Sequence, residues 1–142
     1  MAEYGSTSWY RLIVSLISSD KSLEKLARKA CRSSYDLVVS SDPILEGDKL
    51  FRPNVRLIIV DHEAVEERMR GWLLDQIRRF ARHSTLVYIA SHYSEGTERR
   101  ARAYQAQYYT SKSVDAEQMP RVLWSLLNAA KACEHQQISM LA

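Results

Sequence analysis

The chain has 142 residues, of which 46% are hydrophobic, and its 20 basic and 17 acidic residues give a formal net charge of +3. This length predicts one domain with a core that needs no disulfide or metal, and so small a basic excess does not indicate nucleic-acid binding. Cys31 and Cys133 form no zinc-binding pattern and suit a reducing cytoplasm, and we expect neither a membrane span nor a signal peptide.

Apolar runs of strand length alternate with amphipathic helical stretches along the whole chain. Strands are predicted over residues 11–17, 35–40, 55–60, 85–90 and 107–111. Helices are predicted from Ser19 or Asp20 to about residue 33, and over residues 63–83, 95–105 and 115–133. The segment 42–54 contains two prolines and a glycine, so it has room for at most a short helix.

Strands that are apolar throughout must be covered on both faces, and the alternating helices supply that cover through right-handed crossovers. The prediction is an α/β fold with a single doubly wound, five-stranded parallel sheet, a (βα)5 sandwich. We expect the domain to span residues 10–133, with a loose segment over residues 1–9 and a tail over 134–142. In such sheets the functional residues lie beyond the carboxyl ends of the strands.

Four side chains stand at the predicted strand ends. Asp61 directly follows the third strand, Ser91 follows the fourth, and Lys112 follows the fifth, three residues after Tyr109. An aspartate, a hydroxyl, an aromatic and a lysine in this register resemble the receiver (CheY-like) domain of bacterial two-component response regulators. The resemblance covers nearly the whole chain and implies a receiver-like or flavodoxin-like sandwich.

The resemblance also implies a role for each of these residues. Asp61 would accept a phosphoryl group from a histidine kinase, and Ser91 and Lys112 would contact the phosphoryl oxygens. Tyr109 would be the switch aromatic, which changes rotamer with phosphorylation. A pair of acidic residues after the first strand would bind Mg²⁺, which offsets the charge that develops in phosphoryl transfer.

The sequence departs from the family where the acidic pair should lie. Ser18 and Ser19 occupy those positions, and neutral hydroxyls are poor Mg²⁺ ligands beside a phosphate. Asp20 comes one or two residues late and is placed to cap the following helix. We therefore expect no cofactor, unless Asp20 reaches the site and forms a weak Mg²⁺ site with Asp61.

Two further departures affect the neighbouring loops. No proline or glycine follows Asp61 until Gly71, which predicts that the third helix begins early, at about Glu63. Lys112 is followed by Ser113, where the family commonly has a proline in a cis peptide bond, so an ordinary trans bond is expected.

These departures indicate a pseudo-receiver, a cytoplasmic interaction module that is not an enzyme and acts without phosphorylation. The resemblance implies a partner protein or a second copy bound through the fourth helix, fifth strand and fifth helix, with a histidine kinase as a further partner. Nucleic-acid and membrane binding are not expected. The candidate partner-binding residues on that face are Arg99, Arg100, Arg102, Tyr104 and Tyr108, with Trp124 as an additional anchor.

Three alternatives stay open at this stage. The chain could be a working response regulator phosphorylated on Asp61, with Asp20 replacing the acidic pair. It could be a flavodoxin-like domain that binds a nucleotide or another small molecule, although it has only four glycines and no glycine-rich phosphate loop. His62 and His92 could form a transition-metal site, but histidines on separate loops are more often solvated polar residues. Without a phosphoryl group, Lys112 could simply pair with Asp61.

Overall fold

The computed structural model describes residues 11–112 and 118–141, with side chains in the last helix as far as residue 129. The described residues form five parallel strands, β1 (Leu12–Ile17), β2 (Tyr35–Ser40), β3 (Val55–Asp61), β4 (Thr85–Ala90) and β5 (Tyr108–Ser111). They also form the helices α1 (Lys21–Cys31), α2 (Gly47–Leu50), α3 (Glu67–Phe80), α4 (Glu95–Ala103) and α5 (Gln118–Leu141).

The strands form one parallel sheet in the order β2-β1-β3-β4-β5, which confirms the predicted doubly wound α/β fold. In this register Ile17 of β1 pairs with Val60 of β3, and Asp61 pairs with Ile89 of β4. The carboxyl ends of three neighbouring strands therefore meet around Asp61, at the point where the strand order reverses. Crevices at such positions are the usual functional sites of open α/β sheets.

Each face of the sheet carries its own hydrophobic core, because alternate strand residues point to opposite faces. One core packs β3 residues Ile58 and Val60 against α3, and the other packs Leu57 and Ile59 against α1 and α5. Ser15 is fully buried in β1, and its hydroxyl donates to the carbonyl of Leu50, 2.8 Å away, which ties α2 to the sheet. None of the described helices could span a membrane.

The third helix does not begin at Glu63, so that prediction was wrong. A 3₁₀ turn covers His62–Ala64, Val65 is extended (φ −116°, ψ 128°), and α3 begins only at Glu67. The turn forms because Asp61 Oδ1 accepts the amide N–H of Glu63 at 3.2 Å. The extended backbone then lets Val65 insert its side chain into the core, where it is 4% exposed.

The spacing of apolar residues along this helix predicts that Trp72 and Phe80 belong to its apolar face, but both side chains are exposed. Trp72 is 40% and Phe80 is 59% exposed, whereas Leu73, Leu74 and Ile77 are buried. The helix is therefore rotated so that these leucines and Ile77 face the sheet, which leaves the two aromatic rings at the margin of the domain.

The chain ends differ from the prediction in one respect. The last helix runs to Leu141, past residue 133 where it was predicted to end, so the predicted tail is helical through residue 141. Residues 1–10, 113–117 and 142 lie outside the described part of the chain. The predicted loose segment at 1–9 and the predicted trans bond before Ser113 therefore remain predictions.

Candidate functional site

Asp61 is the centre of a hydrogen-bonded cluster at the carboxyl edge of the sheet. The residue Asp61 is 1% exposed, but both oxygens of its carboxylate accept hydrogen bonds. Oδ2 accepts a hydrogen bond from the Ser18 hydroxyl at 2.7 Å and one from the Lys112 ammonium at 2.8 Å. Oδ1 accepts the amide of Glu63. Buried carboxylates are tolerated when they are paired and hydrogen-bonded in this way.

Lys112 joins two carboxylates that are far apart in sequence. Its Nζ lies 2.8 Å from Asp61 Oδ2 and 3.0 Å from Asp20 Oδ2. The lysine is anchored because its amide donates to the carbonyl of Ala90 at 2.7 Å, which continues the β4–β5 pairing by one residue. The ammonium group is therefore held between the end of β3 and the start of α1.

Asp20 has two functions in the structure. Its Oδ1 accepts the amides of Ser22 and Leu23, at 2.9 and 3.3 Å, which confirms that it caps α1. Its Oδ2 is left to bind Lys112, so the late acidic residue does reach the site. The Ser18 hydroxyl, besides donating to Asp61, accepts the Asp20 amide at 3.0 Å and so fixes the turn between them.

The electrostatics of the cluster keep Asp20 and Lys112 ionised at neutral pH. The hydrogen bond from Lys112 lowers the pKa of Asp20, and two backbone amides add to this effect. Burial alone would lower the pKa of Lys112, but its hydrogen bonds to Asp61 and Asp20 outweigh burial and raise it. The lowered pKa of Asp20 stabilises the folded protein above the acid range, and the raised pKa of Lys112 stabilises it below the alkaline range.

The substitution Asp20→Asn should remove an acid-sensitive part of this stability. Asparagine caps a helix about as well as aspartate but carries no charge, so we expect a loss of about 0.5–1 kcal/mol at pH 7. Because the pKa of Asp20 is lowered on folding, its contribution is complete above the unfolded value of about 4 and disappears as the pH falls through the lower folded value. Urea unfolding from pH 7 to pH 2.5 should show the two proteins converging at low pH. A constant difference over this range would contradict the ion pair.

A divalent metal at this site would need the two carboxylates that Lys112 engages in the structure. In the described ranges, no group of three or more His, Cys, Asp or Glu side chains is arranged to hold an ion. Asp20 and Asp61 are separated by the Lys112 ammonium, which takes the position between the carboxylates. Mg²⁺ requires several oxygen ligands in nearly octahedral geometry. In the structure, the carboxylates of Asp20 and Asp61 are instead bound to the ammonium group of Lys112.

Two predicted site residues are not drawn into the cluster. Ser19 is exposed, so of the two serines at the acidic-pair positions only Ser18 contacts Asp61. Ser91 directly follows β4 and is half-buried, outside the hydrogen bonds that join Asp61, Ser18, Asp20 and Lys112. Its proposed contact with a phosphoryl group remains a prediction.

A column of aromatic rings, which the sequence did not indicate, adjoins the site. Tyr88 is 2% exposed, and its hydroxyl lies 2.7 Å from Nδ1 of His62, the residue after Asp61. Its ring stacks on Tyr109 with 6.2 Å between centroids, and Tyr93 packs edge-on against Tyr109 with 5.8 Å between centroids. Burial lowers the pKa of His62, with Arg70 adding to the effect, so the imidazole is neutral at pH 7.

The column connects the loop after Asp61 to the loop after β4. The Tyr109 hydroxyl is within 3.4 Å of the backbone N and O of Ser94, the N-cap residue of α4. Burial raises the pKa of Tyr88 to about 12, which keeps its hydroxyl protonated. Tyr109 is thus packed inward, and its role as a switch aromatic remains a prediction.

The predicted partner-binding face combines exposed arginines with half-buried tyrosines. Arg99, Arg100 and Arg102 are exposed on α4, and Arg102 pairs with Glu98 at 3.2 Å. Tyr104 and Tyr108 are half-buried and pack against the two cores, one on each face of the sheet.

Trp124 does not belong to that face, contrary to prediction. Its ring packs edge-on against Tyr35 of β2, with 6.1 Å between centroids, and the Arg32 guanidinium lies over it at 4.1 Å.

The sequence matches no protein-family model and no curated protein. Its fold, however, is similar to that of solved receiver domains. The signal receiver domain of a candidate LuxO repressor protein from Vibrio parahaemolyticus aligns over 87% of this chain and 95% of its own, with a TM-score of 0.71 and 19% identity. A CheY-like receiver domain protein from Methanospirillum hungatei aligns over 86% and 97%, with a TM-score of 0.70 and 11% identity. The receiver domain of an HD domain-containing protein from Pseudomonas fluorescens aligns over 86% and 98%, with a TM-score of 0.70 and 17% identity.

Proposed function

We propose that this chain, whose fold is that of the response-regulator receiver domains, is a signalling module that binds partner proteins without being phosphorylated. The position of Lys112 carries this proposal. In a receiver, the lysine would contact the phosphoryl group while acidic residues hold Mg²⁺. Here its ammonium lies within 3.0 Å of both carboxylates of the site.

The charge of the cluster argues against phosphoryl transfer. Asp61 and Asp20 together carry two negative charges and Lys112 one positive charge, so the site keeps a net negative charge. An incoming phosphoryl donor is itself anionic, and the one cation that contacts these carboxylates among the described residues, Lys112, is already engaged with both. Both oxygens of Asp61 also accept hydrogen bonds, Oδ2 from Ser18 and Lys112 and Oδ1 from the Glu63 amide, which makes the carboxylate a weaker nucleophile.

A working response regulator is the second candidate, because Asp20 does reach the site. If Lys112 swung onto a phosphoryl group, Asp20 and Asp61 would be left as two carboxylates able to bind a divalent ion. The Ser18 hydroxyl would remain in place of a third carboxylate.

The remaining parts of the proposal concern chemistry and location. We propose that the chain has no catalytic activity and no resident cofactor, and that it works in the cytoplasm, with a histidine kinase or another signalling protein among its partners. The location is supported by Cys31, a free and buried thiol whose pKa burial raises to about 11. Such a thiol is unreactive and needs no oxidising compartment.

Beryllofluoride, which mimics an aspartyl phosphate, tests the proposal directly. We expect millimolar Mg²⁺ and beryllofluoride to leave the amide resonances of Ser18, Asp61 and Lys112 unshifted in a ¹H–¹⁵N correlation spectrum. Acetyl phosphate with Mg²⁺ should likewise add no phosphoryl group by intact mass. The control is Asp61→Asn, which removes the acceptor and should behave like the wild type. Mg²⁺-dependent shifts in the wild type that Asp61→Asn abolishes would establish the second candidate instead.

A further inference from the structure

A polar pocket lies at the amino-terminal edge of the sheet, at the opposite end of the strands from Asp61. The end of α1 and the start of β2 form its walls, and its volume is about 460 Å³. The buried residues Cys31 and Tyr35 line it together with one acidic residue, Asp36. Three basic residues also line it, namely Arg11, Arg28 and Arg32.

The lining of the pocket carries two positive charges in excess. Arg11 Nε lies 2.8 Å from Asp36 Oδ1, so these two residues balance each other and the charges of Arg28 and Arg32 remain. Arg28 also contacts Glu24 at 2.9 Å, outside the lining, but Glu24 is shared with Lys21 at 3.6 Å. The nearest carboxylates therefore do not cancel the charge of the pocket.

The pocket belongs to the most basic part of the chain. Residues 21–32 contain five lysines and arginines and a single acidic residue, an excess of four positive charges. This local excess is larger than the net charge of +3 of the whole chain, so the other residues together are slightly acidic. The small net charge thus hides a strongly basic region, which attracts anions.

Arg32 has a backbone conformation that is unfavourable for arginine. Its φ is 53° and its ψ is −136°, in a region that glycine adopts at much lower cost because it has no Cβ. Among the described non-glycine residues, Gln105 is the other one with a positive φ, at 68°. Strained residues of this kind persist where the surrounding structure holds them, and they cluster at ligand-binding sites.

The stability of α1 does not explain why an arginine occupies this position. Cations in the last turn of a helix offset the partial negative charge of its carboxyl end, but Arg28 and Lys29 already supply two. The guanidinium of Arg32 lies over the ring of Trp124, 4.1 Å from its centroid, which holds the charge beside the pocket. The position therefore requires the side chain in spite of the backbone.

We propose that this pocket binds a phosphate monoester through Arg28 and Arg32. A phosphate monoester carries nearly two negative charges at neutral pH, which matches the two excess positive charges of the lining, whereas a single carboxylate would neutralise only one. The planar guanidinium fork also fits two phosphate oxygens at once. The inference goes beyond the proposed function, because the ligand is a phosphate ester and the site is separate from Asp61.

Titration of ¹⁵N-labelled protein with O-phosphoserine at constant ionic strength tests the pocket. We expect the amide resonances of Arg28, Arg32 and Asp36 to shift and to saturate in the millimolar range or below, and the same concentrations of serine to shift none of them. Arg32→Gly should raise the dissociation constant roughly tenfold or more, since it removes a charge-assisted hydrogen bond. The same substitution should not lower the midpoint of thermal unfolding, because glycine relieves the strain at this φ.

Gln105→Gly is the matched control for Arg32→Gly. It relieves a positive φ in the same way, but Gln105 precedes the edge strand β5, whereas the pocket adjoins β2 at the opposite edge of the sheet. It should leave phosphoserine binding unchanged, and Arg28→Gln, at an exposed residue, should weaken binding as Arg32→Gly does. Shifts that fail to saturate, or binding that the two arginine substitutions affect no more than Gln105→Gly, would overturn the inference.

A short peptide with a central phosphoserine distinguishes the two sources of such a ligand. Binding at least tenfold tighter than that of phosphoserine assigns the pocket to a phosphorylated segment of another protein, and equal or weaker binding assigns it to a small phosphate ester. The pocket and Asp61 lie at opposite ends of the strands. A failed titration therefore refutes only this inference, and a response to beryllofluoride at Asp61 refutes only the proposed function.

Discussion

Replacing Lys112 with alanine is expected to lower the free energy of unfolding by about 2–4 kcal/mol, because it leaves a buried carboxylate without its cation. Asp61 is 1% exposed, and among the described residues it would keep the Ser18 hydroxyl and the Glu63 amide as donors. Asp20 would lose the same cation and would then add like-charge repulsion. Equilibrium unfolding in urea at pH 7 measures the change.

The matched control for this substitution is Lys49→Ala. Lys49 also pairs with a carboxylate, Glu46, at 2.7 Å, but both side chains of that pair are substantially exposed. Exposed pairs contribute little, so Lys49→Ala should have a much smaller effect. Adding Asp61→Asn to Lys112→Ala should recover part of the lost stability, since a neutral amide tolerates burial better than an unpaired charge. Equal effects of the two lysine substitutions would contradict a buried ion pair.

Ser18→Asp is expected to make the stability of the protein dependent on Mg²⁺. The Ser18 hydroxyl is 2.7 Å from Asp61 Oδ2, so an aspartate there adds a second carboxylate to a buried site and removes a donor. In the presence of a chelator we expect a loss on the order of 2–3 kcal/mol from this repulsion. Millimolar Mg²⁺ should restore much of it, because three carboxylates would then be available as ligands.

Ser19→Asp supplies the control for the Mg²⁺ experiment. Ser19 is the residue next to Ser18 and receives the same substitution. Its side chain, however, is exposed and does not contact Asp61. It should change stability by less than about 0.5 kcal/mol, with or without Mg²⁺. Thermal unfolding of both variants, with chelator and with Mg²⁺, distinguishes them. If the wild type were also stabilised by Mg²⁺, or if Ser19→Asp behaved like Ser18→Asp, the assignment of Ser18 as the degenerate position would fail.

Together these experiments separate two uses of the same cluster. In one, Lys112 is a permanent internal cation that forms a structural ion pair at the edge of the sheet, which leaves signalling to other surfaces of the domain. In the other, Lys112 is a movable group that yields its place to a metal and a phosphoryl group. The first predicts a large loss of stability on removing the lysine and no response to beryllofluoride. The second predicts a small loss of stability and a clear response to beryllofluoride.

The sequence by itself determined the sheet and the register of its carboxyl ends. Apolar runs separated by amphipathic stretches permit few arrangements other than a doubly wound parallel sheet. Once that sheet is assumed, Asp61 and Lys112 must lie at one edge, because each directly follows a strand. The pairing of Lys112 with Asp61 was therefore foreseeable from chain order alone, as was the capping role of Asp20.

Only the tertiary structure decided which of the neighbouring groups enter the cluster and which face of α3 is buried. A carboxylate has two oxygens, and whether the one that Asp20 does not use as a cap meets Lys112 depends on how α1 sits on the sheet. The spacing of apolar residues along α3 allowed Trp72 and Phe80 to be buried. However, the rotation of a helix about its axis is set by the side chains that fit the sheet best, here Leu73, Leu74 and Ile77. Local periodicity specifies that a helix has an apolar side, and packing against distant residues specifies where that side ends.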